Sequence, residues 1–225
     1  IFLGWTLCPF PRCNIPVTSM VSTSSPPNPL HKRIEALVDE LATAQTRADL
    51  AERLGVRGHI ERYRQHRFVI RVSFGEDEVV IKVYRSKNLI YDLIDRVFGG
   101  RSMRSFRIAR EMLAAGIPVA EPLSGDRRSQ ASYTSTKALK DSVLLTEHLK
   151  NQIASNGPET ERRTTFAQMG TLVAIVHARH FVHGDLTASN ILLTETSSPE
   201  LWLIDFDRAK NVAGLPPWIQ HALSI

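Results

Sequence analysis

The chain has 225 residues, of which 28 are Lys or Arg and 23 are Asp or Glu, so its formal net charge is +5. With 43% hydrophobic and 23% charged residues, the composition indicates one globular domain or two small ones and excludes collagen-like and coiled-coil chains. No run of about 18 apolar residues, the length of a transmembrane helix, occurs in the sequence. The only cysteines, Cys8 and Cys13, exclude a disulfide-rich secreted scaffold.

Residues 1–30 are predicted to form a disordered tail. They carry a single charged residue, Arg12, and end in a run rich in Ser and Pro from Ser22 to Pro29, a composition that cannot bury a core. Because the chain begins with Ile, we expect Met20 to be the translated start and residues 1–19 to lie outside the natural protein.

Residues 31–149 show alternating helical and strand patterns. A helix is predicted from His31 to near Gly55, because apolar residues recur there at helical spacing. The runs 68–74 and 79–84 are rich in β-branched and aromatic residues and flank a short polar turn, which predicts an antiparallel hairpin. An amphipathic helix is predicted over 89–98.

The glycines at 99 and 100 should end that helix, and Ser102 or Ser105 should cap a new one that carries Glu111 and stops before Gly116. After a loop, a short buried strand is predicted over 142–146.

Residues 162–180 are predicted to be helical, with Phe166, Met169, Val173 and Val176 on one face. Two short strands, 190–193 and 201–204, are predicted around a polar turn.

Lys82 lies inside an apolar strand pattern that places it on the same face as Val80 and Tyr84. Burying an ammonium without a partner costs on the order of several kcal/mol, as it does for other unpaired charges. Lys82 therefore needs an anion. Glu111 is the only acidic residue between positions 96 and 120 and is the predicted partner. The alternative is that Lys82 lies on an edge strand with its ammonium in water.

The densest polar cluster runs from Phe181 to Asn190 and lies between a predicted helix and a predicted strand. Such loops often carry catalytic groups. Asp185 and Asn190 are followed by Asp205, which ends the next apolar strand. Two oxygen-bearing side chains from neighbouring strand ends suit Mg²⁺, and a further carboxylate can orient an attacking hydroxyl. We expect His183 to order this loop by hydrogen bonding.

The order of a strand Lys, a helix Glu, a loop Asp and Asn, and a later Asp resembles the protein-kinase-like superfamily. The resemblance covers roughly Phe68 to Lys210. It implies an α+β, two-lobed fold with an antiparallel-sheet N-lobe over 31–149 and a helical C-lobe over 150–225. That C-lobe would be reduced, because only 20 residues follow Asp205.

The resemblance also implies ATP and Mg²⁺ as cofactors. Lys82 would hold the α- and β-phosphates and pair with Glu111, Asp185 would act as the base, and Asn190 and Asp205 would bind Mg²⁺.

The same resemblance implies a hinge whose backbone contacts adenine. That hinge would be the segment Thr146–Leu149, which contains Glu147, His148 and Leu149.

Within the superfamily, the chain is most similar to the lipopolysaccharide core kinases, and above all to 3-deoxy-D-manno-octulosonic acid (Kdo) kinases. The similarity is carried by residues 84–87, 114–123 and 201–209, with Asp205-Phe-Asp-Arg208 the most telling segment. It implies phosphorylation of a sugar hydroxyl of the lipopolysaccharide core, with Kdo-lipid A as acceptor. It also implies a cytoplasmic location, peripheral on the inner face of the membrane.

Some residues depart from the protein-kinase pattern. Gly184 stands where protein kinases carry an Arg that reads a phosphorylated loop, which argues against that control. The segment 183–190 also resembles the small kinase of the tRNA-modifying KEOPS complex, so an atypical Ser/Thr protein kinase or a tRNA-modification-complex kinase is one alternative. The short C-terminal part supports another, a truncated kinase-fold binding module without catalysis.

The excess positive charge lies between Arg85 and Arg110. This segment contains seven basic and two acidic residues, whereas the rest of the chain contains 21 basic and 21 acidic residues. We expect this segment to contact an anionic glycolipid or membrane surface, with an ordinary solvated helix face as the alternative. Nucleic acid is not expected as a partner, since no basic groove interleaved with aromatic residues accompanies the segment.

Overall fold

The computed structural model describes residues 29–85, 100–196 and 198–216. Residues 1–28 of the tail predicted over 1–30 and the predicted helix over 89–98 therefore lie outside the described residues. Residues 29 and 30, assigned to the tail, instead begin the first helix. The first two elements are helices, α1 over Pro29–Ala42 and α2 over Arg47–Leu54. The prediction of one continuous helix is wrong, because Thr46 adopts an extended conformation and its side chain accepts a hydrogen bond of 3.1 Å from the Asp49 amide. This N-cap starts a second helix.

An antiparallel sheet of five strands follows, in the order β1-β2-β3-β5-β4. Its strands are β1 over Gly58–Arg64, β2 over Arg67–Phe74, β3 over Asp77–Arg85, β4 over Pro122–Arg127 and β5 over Ala131–Lys137. The predicted hairpin is confirmed as β2 and β3, with Val72 opposite Val79.

The prediction of a loop between the helix that ends before Gly116 and the strand at 142 is wrong, because this stretch contains β4 and β5. Strand β5 is built from small hydroxyl-bearing residues around Tyr133, so its inward positions do not stand out as apolar.

Helices α1 and α2 cover one face of this sheet. The apolar side chains of α1, α2, β2, β3 and β5 form one buried core there. Phe68, Ile70, Val79, Ile81 and Val83 are all fully buried, and burial of each such side chain contributes about 1.5–3 kcal/mol. Strand alternation then turns Val80, Lys82 and Tyr84 toward the opposite face.

Helix α3, over Arg101–Ala114, packs against β4 and β5 on that opposite face. The predicted cap at Ser102 or Ser105 is wrong. Gly100 occupies the N-cap position without a side-chain hydrogen bond, and both serines are buried inside the helix. Helix α3 approaches the sheet closely at Gly125 of β4, where an added Cβ would lie 2.6 Å from the Phe106 Cβ.

The elements from strand β6 onward, called the second lobe here, combine helices and short strands, and the lobe boundary after residue 149 stays a prediction. The second lobe contains β6 over Ser142–Leu144, α4 over Leu145–Ala154, α5 over Glu159–Ala178, β7 over Phe181–Val182, β8 over Ile191–Thr194, β9 over Leu201–Leu203 and β10 over Lys210–Asn211. Strands β6, β8 and β9 form one antiparallel sheet, and β7 pairs with β10.

The predicted helix over 162–180 corresponds to α5, but the predicted packing face is only partly right. Thr165, Leu172 and Val176 are the buried residues of α5, whereas Phe166 is 57% exposed. Leu172 and Val176 join Ile191 and Leu203 in a second core that also contains residues of α3. Among the described residues, no helix has the length and apolar character that a membrane crossing requires.

Candidate active site

Lys82 is nearly buried, with 13% of its side chain exposed, and its ammonium meets two carboxylates. The Nζ atom lies 2.6 Å from Asp205 Oδ1 and 2.9 Å from Asp207 Oδ2. The expectation that Lys82 needs an anion is met, and the edge-strand alternative is wrong, because β3 lies between β2 and β5.

The predicted ion pair between Lys82 and Glu111 is not formed. Glu111 Oε2 instead accepts a 3.2 Å hydrogen bond from Asn211 Nδ2, and Oε1 lies 3.9 Å from Arg107 Nε. The reason is the phase of α3. Ala109 faces Lys82 across a shared cavity, and two further residues turn the helix by about 200°, so Glu111 points to the other side.

The sequence pattern predicted no role for Asp207. In the structure its carboxylate meets two cationic side chains and one hydroxyl group. The Tyr84 hydroxyl donates a hydrogen bond to Asp207 Oδ1, and Arg67 Nη1 lies 3.5 Å from Oδ2, which also meets Lys82. Burial, followed by the nearby Asp207 carboxylate, raises the pKa of Tyr84 well above its ordinary value, so its hydroxyl stays protonated and donates. Tyr84 could have been found from strand alternation with Lys82.

Asp205 has a left-handed backbone with φ of 66°, a conformation that an L-residue with a side chain rarely adopts and that is often held in place at functional sites. Burial alone would raise the pKa of Asp205, but the charge and hydrogen bond of Lys82, together with Arg67, hold that pKa below its ordinary value. Asp205 is therefore an anion at neutral pH.

The loop that carries Asp185 is fixed against the segment around Asp205. Asn190 Nδ2 donates a 2.8 Å hydrogen bond to the Asp185 carbonyl, and the Ile204 amide donates to the Asn190 carbonyl at 3.0 Å. His183 is buried, and its Nε2 donates to the Ile204 carbonyl at 3.1 Å, as expected for a residue that orders the loop. Burial lowers the pKa of His183 below its ordinary value, despite the hydrogen bond to Ile204, so the ring is neutral at pH 7.

A first cavity of about 390 Å³ lies beneath the five-stranded sheet. Apolar side chains from both lobes, among them Val69, Val80, Leu144 and Leu192, line it together with Lys82, Asn190 and Asp205. This cavity, called the apolar slot below, is lined mostly by apolar surface with a few polar groups, the usual form of a small-molecule or cofactor pocket.

A second cavity of about 950 Å³ contains Asp185, Asn190, Asp205 and Asp207. Six cationic side chains also line it: Arg62, Arg67, Arg101, Arg104, Arg208 and Lys210. The two cavities share Arg62, Arg67, Ser189, Asn190 and Asp205, so they meet where the proposed metal ligands lie.

Two residues of the basic segment line the second cavity, and contact of this segment with a membrane stays a prediction. Arg101 and Arg104, expected to face a membrane or lipid surface, line the second cavity beside Asp185. Arg85 stacks over Phe68 with a distance of 4.8 Å to the ring centroid, and residues 86–99 lie outside the described part of the chain.

The segment predicted to be the hinge is helical, because α4 begins at Leu145. Of Glu147, His148 and Leu149, the first lines the first cavity, whereas Leu149 packs against the second core. Val143 and Leu144, at the end of β6, also line the first cavity. The strand end that precedes the predicted segment thus contributes to the apolar slot together with Glu147.

Asn190 and Asp205 fit a magnesium site. The Asn190 amide nitrogen is engaged by the Asp185 carbonyl, so its amide oxygen is the atom left for a cation. Mg²⁺ usually takes few protein oxygens and completes its coordination with phosphate and water. Asn190 and Asp205 would hold it in that way.

Comparisons with known proteins show which proteins this chain is similar to. A sequence model described as the lipopolysaccharide kinase (Kdo/WaaP) family matches residues 59–224. The 3-deoxy-D-manno-octulosonic acid kinase of Xylella fastidiosa strain M23 is 31% identical over 163 residues, which cover 69% of this chain and 61% of the relative. The enzyme of the same name from Haemophilus influenzae strain 86-028NP is 31% identical over 118 residues, 51% of this chain and 47% of that one.

A solved structure titled WaaP in complex with acyl carrier protein superposes with a TM-score of 0.54 at 16% identity, covering 73% of this chain and 66% of that one. This likeness confirms the predicted α+β, kinase-like fold. The chain spans about three fifths of the length of the Xylella relatives it matches. On the family match, the chain belongs to the lipopolysaccharide kinase (Kdo/WaaP) family.

Proposed function

We propose that the protein transfers the γ-phosphoryl group of ATP to a sugar hydroxyl of the lipopolysaccharide core, with Kdo as the acceptor sugar. The observation that carries the proposal is the junction of the two cavities. An apolar slot bearing Lys82 opens, at Asn190 and Asp205, into a cationic cleft that contains Asp185.

On the nucleotide side, the purine would lie between Val80 of the sheet and Leu192 of the second lobe. Lys82 would contact the α- and β-phosphates, and Asn190 and Asp205 would hold Mg²⁺. When bound, Mg²⁺ neutralises charge on the transferred phosphoryl group. The protein's own contribution is to position the phosphates and exclude water, since the transition state is loose.

On the acceptor side, Asp185 would accept the proton of the attacking hydroxyl. The six cations of the second cavity suit an acceptor that carries carboxylate or phosphate groups. The Xylella and Haemophilus relatives are named for such an acid. Because a core sugar of this kind is attached to lipid, we place the reaction at the cytoplasmic face of the membrane.

The test is phosphoryl transfer from ATP labelled at the γ-phosphate to Kdo-lipid A in the presence of Mg²⁺. We expect label in the lipid, and we expect Asp185→Asn to lower turnover by about 10²–10⁴-fold while MgATP still binds.

Parallel reactions with protein and tRNA-complex acceptors separate the alternatives. Transfer to those acceptors alone contradicts the lipopolysaccharide assignment. Nucleotide binding without Mg²⁺-dependent ATP consumption on any acceptor contradicts the kinase assignment and favours a binding module.

A further inference from the structure

Lys82 needs a permanent counter-charge, and the described part of α3 does not supply it. The residues of α3 that line the first cavity are Ser105, Phe106 and Ala109, none of which is acidic. Glu111 lies on the other side of the helix and accepts from Asn211. The partner of Lys82 must therefore come from another element.

Two carboxylates reach the Lys82 ammonium, and they differ in what else they do. Asp205 is a proposed ligand of Mg²⁺, and a carboxylate that shares its charge with a divalent cation is a weaker partner for an ammonium. Asp207 Oδ2 lies 2.9 Å from Lys82 Nζ, and its side chain is only 11% exposed. Asp207 is thus the carboxylate that can stay with Lys82.

Asp207 is itself held on both sides. The Tyr84 hydroxyl donates to Oδ1, and Arg67 approaches Oδ2 at 3.5 Å. Tyr84 follows Lys82 by two residues on the same strand face, and Lys82 Nζ lies 5.2 Å from the centre of its ring. Strand β3 therefore presents both the ammonium and the group that orients its partner.

We infer that Asp207 is a positioning residue that anchors Lys82 for phosphate binding, in the place where Glu111 was expected to act. The inference rests on the proposed function. The anchor joins β3 directly to the segment after β9, so the position of Lys82 does not depend on the position of α3.

The experiment compares Asp207→Asn with Glu111→Gln, each an isosteric loss of one carboxylate. The readouts are MgATP affinity, measured with a fluorescent ATP analogue, and the KM for ATP and kcat with Kdo-lipid A. We expect Asp207→Asn to weaken MgATP binding and raise KM about tenfold, Asp207→Glu to recover part of the loss, and Glu111→Gln to change either value less than twofold. Equal affinities for wild type and Asp207→Asn, or a larger loss in Glu111→Gln, overturn the inference.

A double-mutant cycle with Lys82→Met tests whether Asp207 acts through Lys82. We expect Asp207→Asn to have almost no further effect on MgATP affinity once Lys82 is absent. Full additivity of the two losses contradicts an anchoring role.

If Asp207→Asn does not fold, Tyr84→Phe replaces it, since this variant removes one hydrogen bond and keeps the carboxylate. A rise of about threefold in the KM for ATP supports the anchor, and an unchanged KM overturns it. A wild-type protein that binds no MgATP contradicts the proposed function itself, whereas normal turnover with an insensitive Asp207 contradicts the anchor alone.

Discussion

The two cavities of the site are built by different means. The first is walled by regular strands, whose alternation turns Val69, Val80 and Lys82 to one side. The second takes its charges from distant parts of the chain, from β1 and β2, from the start of α3, and from the residues after Asp205. Arg62 and Arg67 line both cavities, whereas Arg101, Arg104, Arg208 and Lys210 line the second cavity alone. On the proposed function, the first cavity would recognise the phosphoryl donor and these four cations would recognise the acceptor.

Substitution of a residue that lines both cavities should have the largest effect on kcat/KM. Asp205→Asn should lower kcat/KM for both substrates by at least about a hundredfold, because a metal ion at the phosphates supplies several kcal/mol and each 1.4 kcal/mol is about a factor of ten. Steady-state kinetics over a Mg²⁺ titration measures it. A loss confined to one substrate would show that the cavities act separately at this point.

A bulky residue in the first cavity should affect ATP alone. Val80 shares the strand face of Lys82 and lines the apolar slot, so Val80→Phe would fill part of it. Overpacking costs about 1–3 kcal/mol, and we expect the KM for ATP to rise about tenfold with the acceptor KM unchanged. Val79, buried on the opposite face of β3, provides the control substitution Val79→Ile. An acceptor effect as large as the ATP effect would contradict the division.

Neutral replacement of the two arginines of α3 that line only the second cavity should affect the acceptor alone. Arg101→Gln or Arg104→Gln should each raise the acceptor KM about tenfold, since a hydrogen bond to a charged group contributes about 1.5–3 kcal/mol. Arg107→Gln on the same helix is the matched control, because Arg107 is 70% exposed and lies outside the lining. The losses should be equal on free sugar and lipid-borne acceptor. A loss restricted to the lipid-borne form would restore the membrane role first expected for this segment.

The smallest expected effect concerns a wall of the second cavity. Gly184 has φ of 72°, and an added Cβ would lie 2.6 Å from the Arg208 carbonyl oxygen. Gly184→Ala should therefore lower the free energy of unfolding by about 1–3 kcal/mol, measured by urea denaturation. Gly170→Ala in α5, where nothing lies within 4 Å of the added Cβ, should raise it by about 0.5–1 kcal/mol. A higher free energy of unfolding for both variants would contradict the close Arg208 contact at Gly184.

Local pattern was enough to predict part of the molecule. The hairpin of β2 and β3, the helix that carries Glu111 and the placement of Lys82 on a covered strand all follow from periodicities of two or 3.6 residues. Polar strands such as β5 escaped prediction, because their burial comes from neighbouring strands rather than from their own hydrophobicity.

The partner of Lys82 could not be found by counting acidic residues near it in the sequence. Asp205 is 123 residues away, and a change of two residues in helical phase turns Glu111 away from the cavity. Likewise, the sequence pattern did not locate the end of β6 to within a residue. The strand was predicted to reach residue 146, whereas it ends at Leu144 and the helix begins at Leu145. Long-range pairing and element boundaries are properties of the assembled fold.

The outer strands of the five-stranded sheet, β1 and β4, have features that oppose aggregation through their edges. Both β1 and β4 contain a register shift, between Ile60 and Arg62 and between Pro122 and Ser124. A bulge twists the exposed backbone away from a flat edge, charged side chains such as Arg62 repel a like edge, and proline removes a donor. While the chain is being synthesised and its copies are close together, these outer strands are poor templates for pairing between molecules.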